Sequence, residues 1–213
     1  MSIQLSRVVD PIFEIGISLL ERIESNISID YEREHADILE LFARADSLEG
    51  GDKSWRLARY ALAVWIDEIC LSLPWNGTQW WQSNILEMEI FQSRICNVRF
   101  FELAKQAATN RDRQALDVFY CCVVLGFRGM YASSESLPKH TSEEEFPATL
   151  QNWLEWASQL LNATASPPYQ VGPNRMVAGA PPLIGRRQQV VWTAAAAMLF
   201  ALNVALASLV WSR

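Results

Sequence analysis

The sequence predicts an all-α protein in which a helical domain is followed by one membrane-spanning helix at the C-terminus. Three observations support this prediction. Apolar residues recur at helical spacing in segments up to residue 161, no stretch shows sustained two-residue alternation, and residues 190–211 form a run of 22 without a charge. We therefore expect a helical domain at 1–162, a linker at 163–185 and an anchor at 186–213.

The first three helices are predicted from apolar stripes and from the residues that start or stop helices. Residues 12–27 contain the first stripe, and Pro11 is expected at the first turn, where its missing amide costs nothing. The second stripe, 38–48, is followed by two glycines. The third, 55–73, is apolar around most of its circumference and is followed by a proline, which predicts a central helix packed on several sides.

The later helical patterns are shorter. Residues 80–92 show a weaker helical pattern, and two helices are predicted at 98–109 and 112–125. The last helix is predicted near 143–161, where Pro147 fits only if the helix begins later.

The anchor is predicted from Val190 to Trp211, which as a helix spans about 33 Å, enough for the hydrocarbon core of a bilayer. Trp192 and Trp211 stand near its ends, where indole rings favour the membrane interface. Asn203 either hydrogen-bonds a neighbouring helix in the bilayer or is tolerated alone. The alternative for the whole run is a buried core helix, which normally has a polar stripe that this run lacks.

The flanks of the anchor predict its orientation. Arg175, Arg186 and Arg187 precede the span and only Arg213 follows it, so the positive-inside rule places the N-terminal domain in the cytoplasm. The linker contains five of the nine prolines, so no regular element is expected there. Fully stretched, it reaches at most ~75 Å.

Charge and cysteine content argue against several functions. The chain before residue 186 has 15 basic and 24 acidic residues, a net charge of −9, which disfavours nucleic acid as a partner. The four cysteines form no CxxC pair and the two histidines lie far from them, so we expect reduced thiols and neither a metal nor another cofactor. Nucleotide-binding, zinc-protease and serine-hydrolase motifs are absent, so no small-molecule substrate is expected.

The sharpest polar feature is the pair Asp67-Glu68 inside the most apolar helix. Neighbouring helical residues point about 100° apart, which disfavours a hydrolase that uses both carboxylates on one bond. Tyr60 lies seven residues before Asp67, and Arg59 lies close to the same face. Two interpretations stay open: a hydrogen-bonded Arg–Tyr–Asp cluster that fixes the fold, or a polar cleft, flanked also by Trp75, where a cytoplasmic partner docks.

Three motifs, in this order, resemble those of a known family. They are RYALAVWIDEICLSLPW at 59–75, FFELAKQA at 100–107 and DVFYCCVVLGFRGMY at 117–131. They are similar to the signatures ARYALCAxxDE…xxPW, FFELLExL and ELLYLCLxLGFxGxY of the TssL/DotU proteins. These are inner-membrane subunits of type VI secretion systems, called DotU or IcmH in type IVB systems. The resemblance covers roughly residues 10–211 and includes the proline-rich stretch and the C-terminal span.

The resemblance implies a hook-like cytoplasmic domain of two small helical bundles, held at a bacterial inner membrane with its C-terminus in the periplasm. It implies a scaffold rather than an enzyme, assembled with a large IcmF-like (TssM) membrane protein and with TssK-like cytoplasmic baseplate proteins. Whether the subunit forms a homodimer is left open.

One stretch departs from the family pattern. The family's FHxExWGG loop corresponds here to IFQSRICNVR at 90–99, which lacks the histidine and the glycine pair, so contacts of that loop are in doubt. Outside secretion, a tail-anchored helical regulator of the Bcl-2 type shares the length, helicity and tail. No BH-type motif precedes the span, which disfavours that alternative.

Overall fold

The computed structural model describes residues 3–132 and 146–163, all of which lie in one compact unit, Met1–Ser166. A second unit, Pro167–Arg213, lies outside the described residues, and with it the predicted span Val190–Trp211. The described elements are helical, which confirms the all-α class. Within the two described ranges, no helix has both the length and the apolar character needed to cross a bilayer.

Eight α-helices and one 3₁₀ turn make up the described ranges. In chain order they are α1 Ile3–Glu24, α2 Tyr31–Glu49, α3 Lys53–Ser72, α4 Thr78–Trp81, α5 Leu86–Phe91, α6 Cys96–Thr109, α7 Arg113–Val124, the 3₁₀ turn Gly129–Tyr131 and α8 Leu150–Ala163. The helices form two groups that share α3. One group contains α1 and α2, and the other contains α6, α7 and α8.

Helix α3 is the centre of the fold, as its sequence predicts. Its N-terminus is capped by Asp52, whose carboxylate accepts a hydrogen bond from the Trp55 amide at 2.8 Å. Buried side chains lie on every face of its middle turns, and α1, α5, α6 and α7 all pack against it. Because it contacts both helical groups, polar side chains on α3 can connect them.

The predicted start of α1 is wrong. The helix begins at Ile3, and Pro11 lies inside it rather than at its first turn. Leu5, Val8 and Val9 are buried in the core, and the apolar area that they bury offsets the backbone hydrogen bond that is lost at a proline. At the other end, Ile27 lies beyond the helix and is 53 % exposed, so it does not belong to the buried stripe.

Two later elements also differ from their predictions. The weak pattern at 80–92 is two short helices, α4 and α5, separated by a turn. Helix α8 begins at Leu150, after Pro147, and the Thr149 hydroxyl accepts a hydrogen bond from the Asn152 amide at 3.1 Å. The cap therefore lies after the proline, where no helical hydrogen bond is lost.

Aromatic packing fixes the chain between α7 and the 3₁₀ turn. Gly126 has a φ of 107°, a left-handed conformation that favours glycine and turns the chain after α7. Phe127 then stacks on Phe100 of α6 with ring centroids 4.0 Å apart, and Phe101 packs edge-on against Trp153 of α8 at 5.4 Å. These contacts hold the backbone at 126–129 beside α3.

Candidate functional site

The two neighbouring carboxylates of α3 bind different parts of the structure, as their angular separation predicts. Asp67 is 4 % exposed and faces α4 and α5. Its Oδ1 accepts hydrogen bonds from the Trp81 indole N–H and the Leu86 amide, and its Oδ2 accepts one from the Glu87 amide, all at 2.8 Å. Asp67 therefore supplies the acceptors that the first turn of α5 lacks in its own backbone.

Burial dominates the electrostatics of Asp67. Loss of solvation raises the pKa of its carboxyl group to about 6, although the Glu87 amide, the Trp81 indole and the Leu86 amide act in the opposite direction. Three donors occupy three of the roughly four lone-pair directions of this carboxylate, and burial excludes solvent from it. We assign Asp67 to the fold, where it connects α3 to α4 and α5.

This raised pKa predicts a pH dependence of stability. The folded pKa exceeds the ordinary Asp value, so the stabilisation that Asp67 gains by protonation is complete below about pH 4 and is lost as the pH rises through about 6. Relative to Asp67→Asn, the protein should gain roughly 1 kcal/mol of unfolding free energy between pH 7 and pH 5. Urea denaturation of both proteins at the two pH values checks this, and equal pH slopes would contradict it.

Glu68 points to the other side of α3. Its Oε1 accepts a hydrogen bond from the Arg128 amide at 2.7 Å, and its Oε2 accepts one from the Gly129 amide at 3.0 Å. Burial raises the pKa of Glu68, while these two amides and the Arg128 guanidinium lower it. Glu68 thus connects α3 to the turn after α7 while remaining partly exposed.

A surface groove of about 350 Å³ opens beside this carboxylate, and we call it the Glu68 groove. Its walls come from the end of α1, the C-terminal half of α3 and the turn after α7. They are Leu20, Glu24, Trp65, Glu68, Ile69, Ser72, Leu73, Leu125, Gly126, Phe127 and Arg128. The groove therefore combines apolar walls with charged groups at its edge.

The other three predicted site residues do not line this groove. Tyr60 is buried and donates its hydroxyl hydrogen to Glu87 Oε1 at 2.7 Å. Arg59 forms an ion pair with Asp46 of α2 at 2.8 Å. The three side chains do not bond to one another, so the Arg–Tyr–Asp cluster, one of the two open interpretations, is wrong. Tyr60 lies about 10 Å along the helix from Asp67, and an acid from another helix fills the space between them.

Trp75 lies beyond the end of α3, and its side chain caps the C-terminus of that helix. Its indole N–H donates to the Cys70 carbonyl at 2.8 Å, one of the carbonyls that lacks a partner within the helix. Its ring centroid lies 6.1 Å from that of the buried Trp81. Of the five predicted residues, Glu68 alone lines the groove, and a docking role for the set stays a prediction.

Glu87 is the site residue that the sequence did not reveal. It is 1 % exposed, and its Oε1 accepts hydrogen bonds from the Tyr60 hydroxyl and from the Ile95 amide at 3.1 Å. Together with the bond from its own amide to Asp67, it connects α3, α5 and the start of α6. Acidic residues in the stretch around Glu87 and Glu89 are typical of a solvent-exposed surface. The sequence therefore gives no sign that Glu87 is buried.

The arrangement is unlike that of a catalytic carboxylate pair or a metal site. Asp67 and Glu68 contact opposite elements, and both already accept hydrogen bonds from backbone amides. In the described ranges no group of three or more His, Cys, Asp or Glu side chains is placed to hold a metal ion. The four cysteines are free thiols, two of them buried.

Comparison with known proteins identifies the family. The model of the DotU family, described as "Type VI secretion system protein DotU", matches residues 4–212. The fold is similar to that of the cytoplasmic domain of TssL from Acinetobacter baumannii, with a TM-score of 0.61 and 22 % identity over 76 % of this chain and 99 % of that one. No curated protein matches. Because the family model matches nearly the whole sequence, the chain belongs to the DotU family of type VI secretion system proteins.

Proposed function

We propose that this protein is a scaffold subunit of the type VI secretion membrane complex, and that cytoplasmic baseplate components of the TssK-like type dock in its Glu68 groove. The observation that supports this proposal is the groove itself, with Glu68 held by two backbone amides at its edge. The DotU family consists of structural secretion components rather than enzymes. The function therefore lies in binding surfaces.

The composition of the groove suits a protein partner. Its apolar walls are Leu20, Leu73 and Leu125, which are half-buried and lose further solvent-exposed area when covered. Glu68, together with the exposed Glu24 and Arg128, provides charges that set the orientation of a partner. Because backbone hydrogen bonds fix the Glu68 carboxylate, little conformational entropy is lost when a partner binds it.

The proposal places the protein at the inner membrane as a single-pass subunit. The anchor is the apolar run 190–211 within 186–213, connected by the linker 163–185 to the cytoplasmic domain 1–162. An IcmF-like (TssM) protein is the proposed partner in the bilayer, where Asn203 offers a side-chain amide for a hydrogen bond between helices.

A groove-filling substitution tests the docking role without removing the Glu68 carboxylate. Ser72 is exposed and lies in the wall of the groove, so Ser72→Arg places a long charged side chain there. We expect at least about tenfold weaker capture of the baseplate partner in pull-down titrations, the effect of losing about 1.4 kcal/mol.

Ser47→Arg on α2 is the matched control, because Ser47 is also exposed and helical but lies outside the groove. It should bind the partner normally, and both variants should retain the melting temperature of the parent. Normal binding by Ser72→Arg would show that the groove is not the docking site. Equal losses in both variants would also contradict the proposal.

A further inference from the structure

A second surface feature lies where α3 and α7 begin. A cavity of about 650 Å³ is lined by Lys53, Ser54, Arg56, Leu57, Gln106, Asn110 and Asp112. A second cavity, of about 210 Å³, includes Arg111 and Arg113 in its lining. Asp112 belongs to both linings, so the two cavities adjoin.

A hydrogen bond holds the two helix ends together. The Ser54 hydroxyl of α3 donates to Asp112 Oδ1 at 2.9 Å, and the same oxygen accepts from the Ala115 amide at 3.0 Å. Asp112 is thus the cap of α7 and is already engaged by two donors. It is also the one acidic residue in the two linings.

The basic residues of these linings, Lys53, Arg56, Arg111 and Arg113, form what we call the basic patch. All four are exposed, and none forms a salt bridge with another described residue. By contrast, Arg22 and Arg59 are paired with acids. A cluster of bases without an ion pair in the described part of the chain is unexpected on a domain whose sequence is strongly acidic, and it provides a surface of the opposite charge.

The basic patch lies beside the end of the described chain. Leu160 and Leu161, in the last turn of α8, line the smaller cavity together with Arg111 and Arg113. Helix α8 ends at Ala163, and the sequence beyond it leads through the linker to the proposed anchor. The patch therefore lies beside the last described residues of the chain.

The Glu68 groove and the basic patch lie at opposite ends of α3. Lys53 is the first residue of the helix, and Glu68 is 15 residues later, which corresponds to about 22 Å along the helix axis. A flat surface that covers the basic patch would thus leave the groove exposed on the far side.

We propose that the basic patch binds the anionic phospholipid headgroups of the membrane in which the protein is anchored. The proposal rests on the anchor proposed above. Each Lys or Arg near an anionic surface strengthens association about fivefold, and the anchor keeps the domain within reach of the bilayer. This contact orients the domain so that the Glu68 groove faces the cytoplasm.

Hydrogen exchange of the full-length protein in lipid nanodiscs tests this inference. The discs contain either phosphatidylcholine alone or a mixture with phosphatidylglycerol. Exchange in peptides that cover 50–57 and 106–114 should be slower in the phosphatidylglycerol discs. The difference should vanish in about 0.5 M salt, which screens exposed charges.

Arg111→Gln/Arg113→Gln removes two charges. Because each basic residue contributes about fivefold, this double substitution should weaken the lipid-dependent protection about 25-fold. Arg111 has a φ of 55° in the turn before α7, so Lys53→Gln/Arg56→Gln tests the patch without altering that turn. The control Arg7→Gln/Arg94→Gln removes two exposed charges elsewhere and should behave like the parent.

Three outcomes would overturn the proposal. They are equal exchange in the two kinds of disc, unchanged protection in both patch variants, and equal protection by inorganic phosphate added to phosphatidylcholine discs. The last would indicate an anion site rather than a bilayer contact. Protein recovered free of the discs would contradict the proposed anchor instead. Adding the two kinds of disc to that free protein, and comparing its exchange rates, would still test whether the basic patch binds anionic lipid.

Discussion

Asp67→Ala is expected to lower the free energy of unfolding by about 4 kcal/mol, because it leaves three buried donors without an acceptor. These donors are the Trp81 indole and the amides of Leu86 and Glu87. Water cannot readily replace the carboxylate, since Asp67, Trp81 and Leu86 are all buried. The measurement is urea denaturation of the full-length protein in mild detergent, followed by tryptophan fluorescence.

Asp37→Ala is the matched control for this substitution. Asp37 is an exposed residue of α2 whose weak ion pair with Arg33 spans 3.9 Å, so its loss should change stability by less than about 0.5 kcal/mol. A similarly small effect for Asp67→Ala would show that the three hydrogen bonds do not hold α4 and α5 on α3.

Helix positions were largely predictable because a helix that packs on one side buries apolar residues at helical spacing, and this spacing can be recognised in the sequence. The central role of α3 follows from its nearly continuous apolar circumference. The start of α1 was not predictable, since whether a proline interrupts a helix depends on how much apolar area the turn before it buries. Leu5, Val8 and Val9 bury that area in a core cluster whose other members come largely from helices distant in sequence.

The site was predictable in part. The sequence identified Asp67 and Glu68 as unusual and their directions as divergent, because both conclusions need only helix geometry. It could not identify their partners, because most of them are backbone amides, which every non-proline residue possesses. The turn at 126–129 and the start of α5 are brought to α3 by tertiary packing, such as the stacking of Phe127 on Phe100, which the sequence does not display.

The importance of Gly16 was not predictable from the sequence either. In the sequence Gly16 is one small member of an apolar stripe. In the fold the Trp65 side chain of α3 packs directly against it, because a Cβ atom there would lie 2.4 and 2.6 Å from two ring carbons of Trp65. Trp65 is fully buried and has Phe13 packed edge-on against it at 5.2 Å, so moving its ring aside would disturb that packing.

Gly16→Ala is therefore expected to lower the free energy of unfolding by about 3 kcal/mol, although alanine is the better helix former by about 1 kcal/mol. Trp65→Phe removes the ring atoms that the new methyl group would meet. On that background the cost of Gly16→Ala should fall below about 1 kcal/mol, which a double-mutant cycle of urea denaturation measures. Additive effects would mean that α1 accommodates the methyl group by another route.

Because Trp65 also lines the Glu68 groove, Gly16→Ala alone should weaken partner capture and Trp65→Phe should restore part of it.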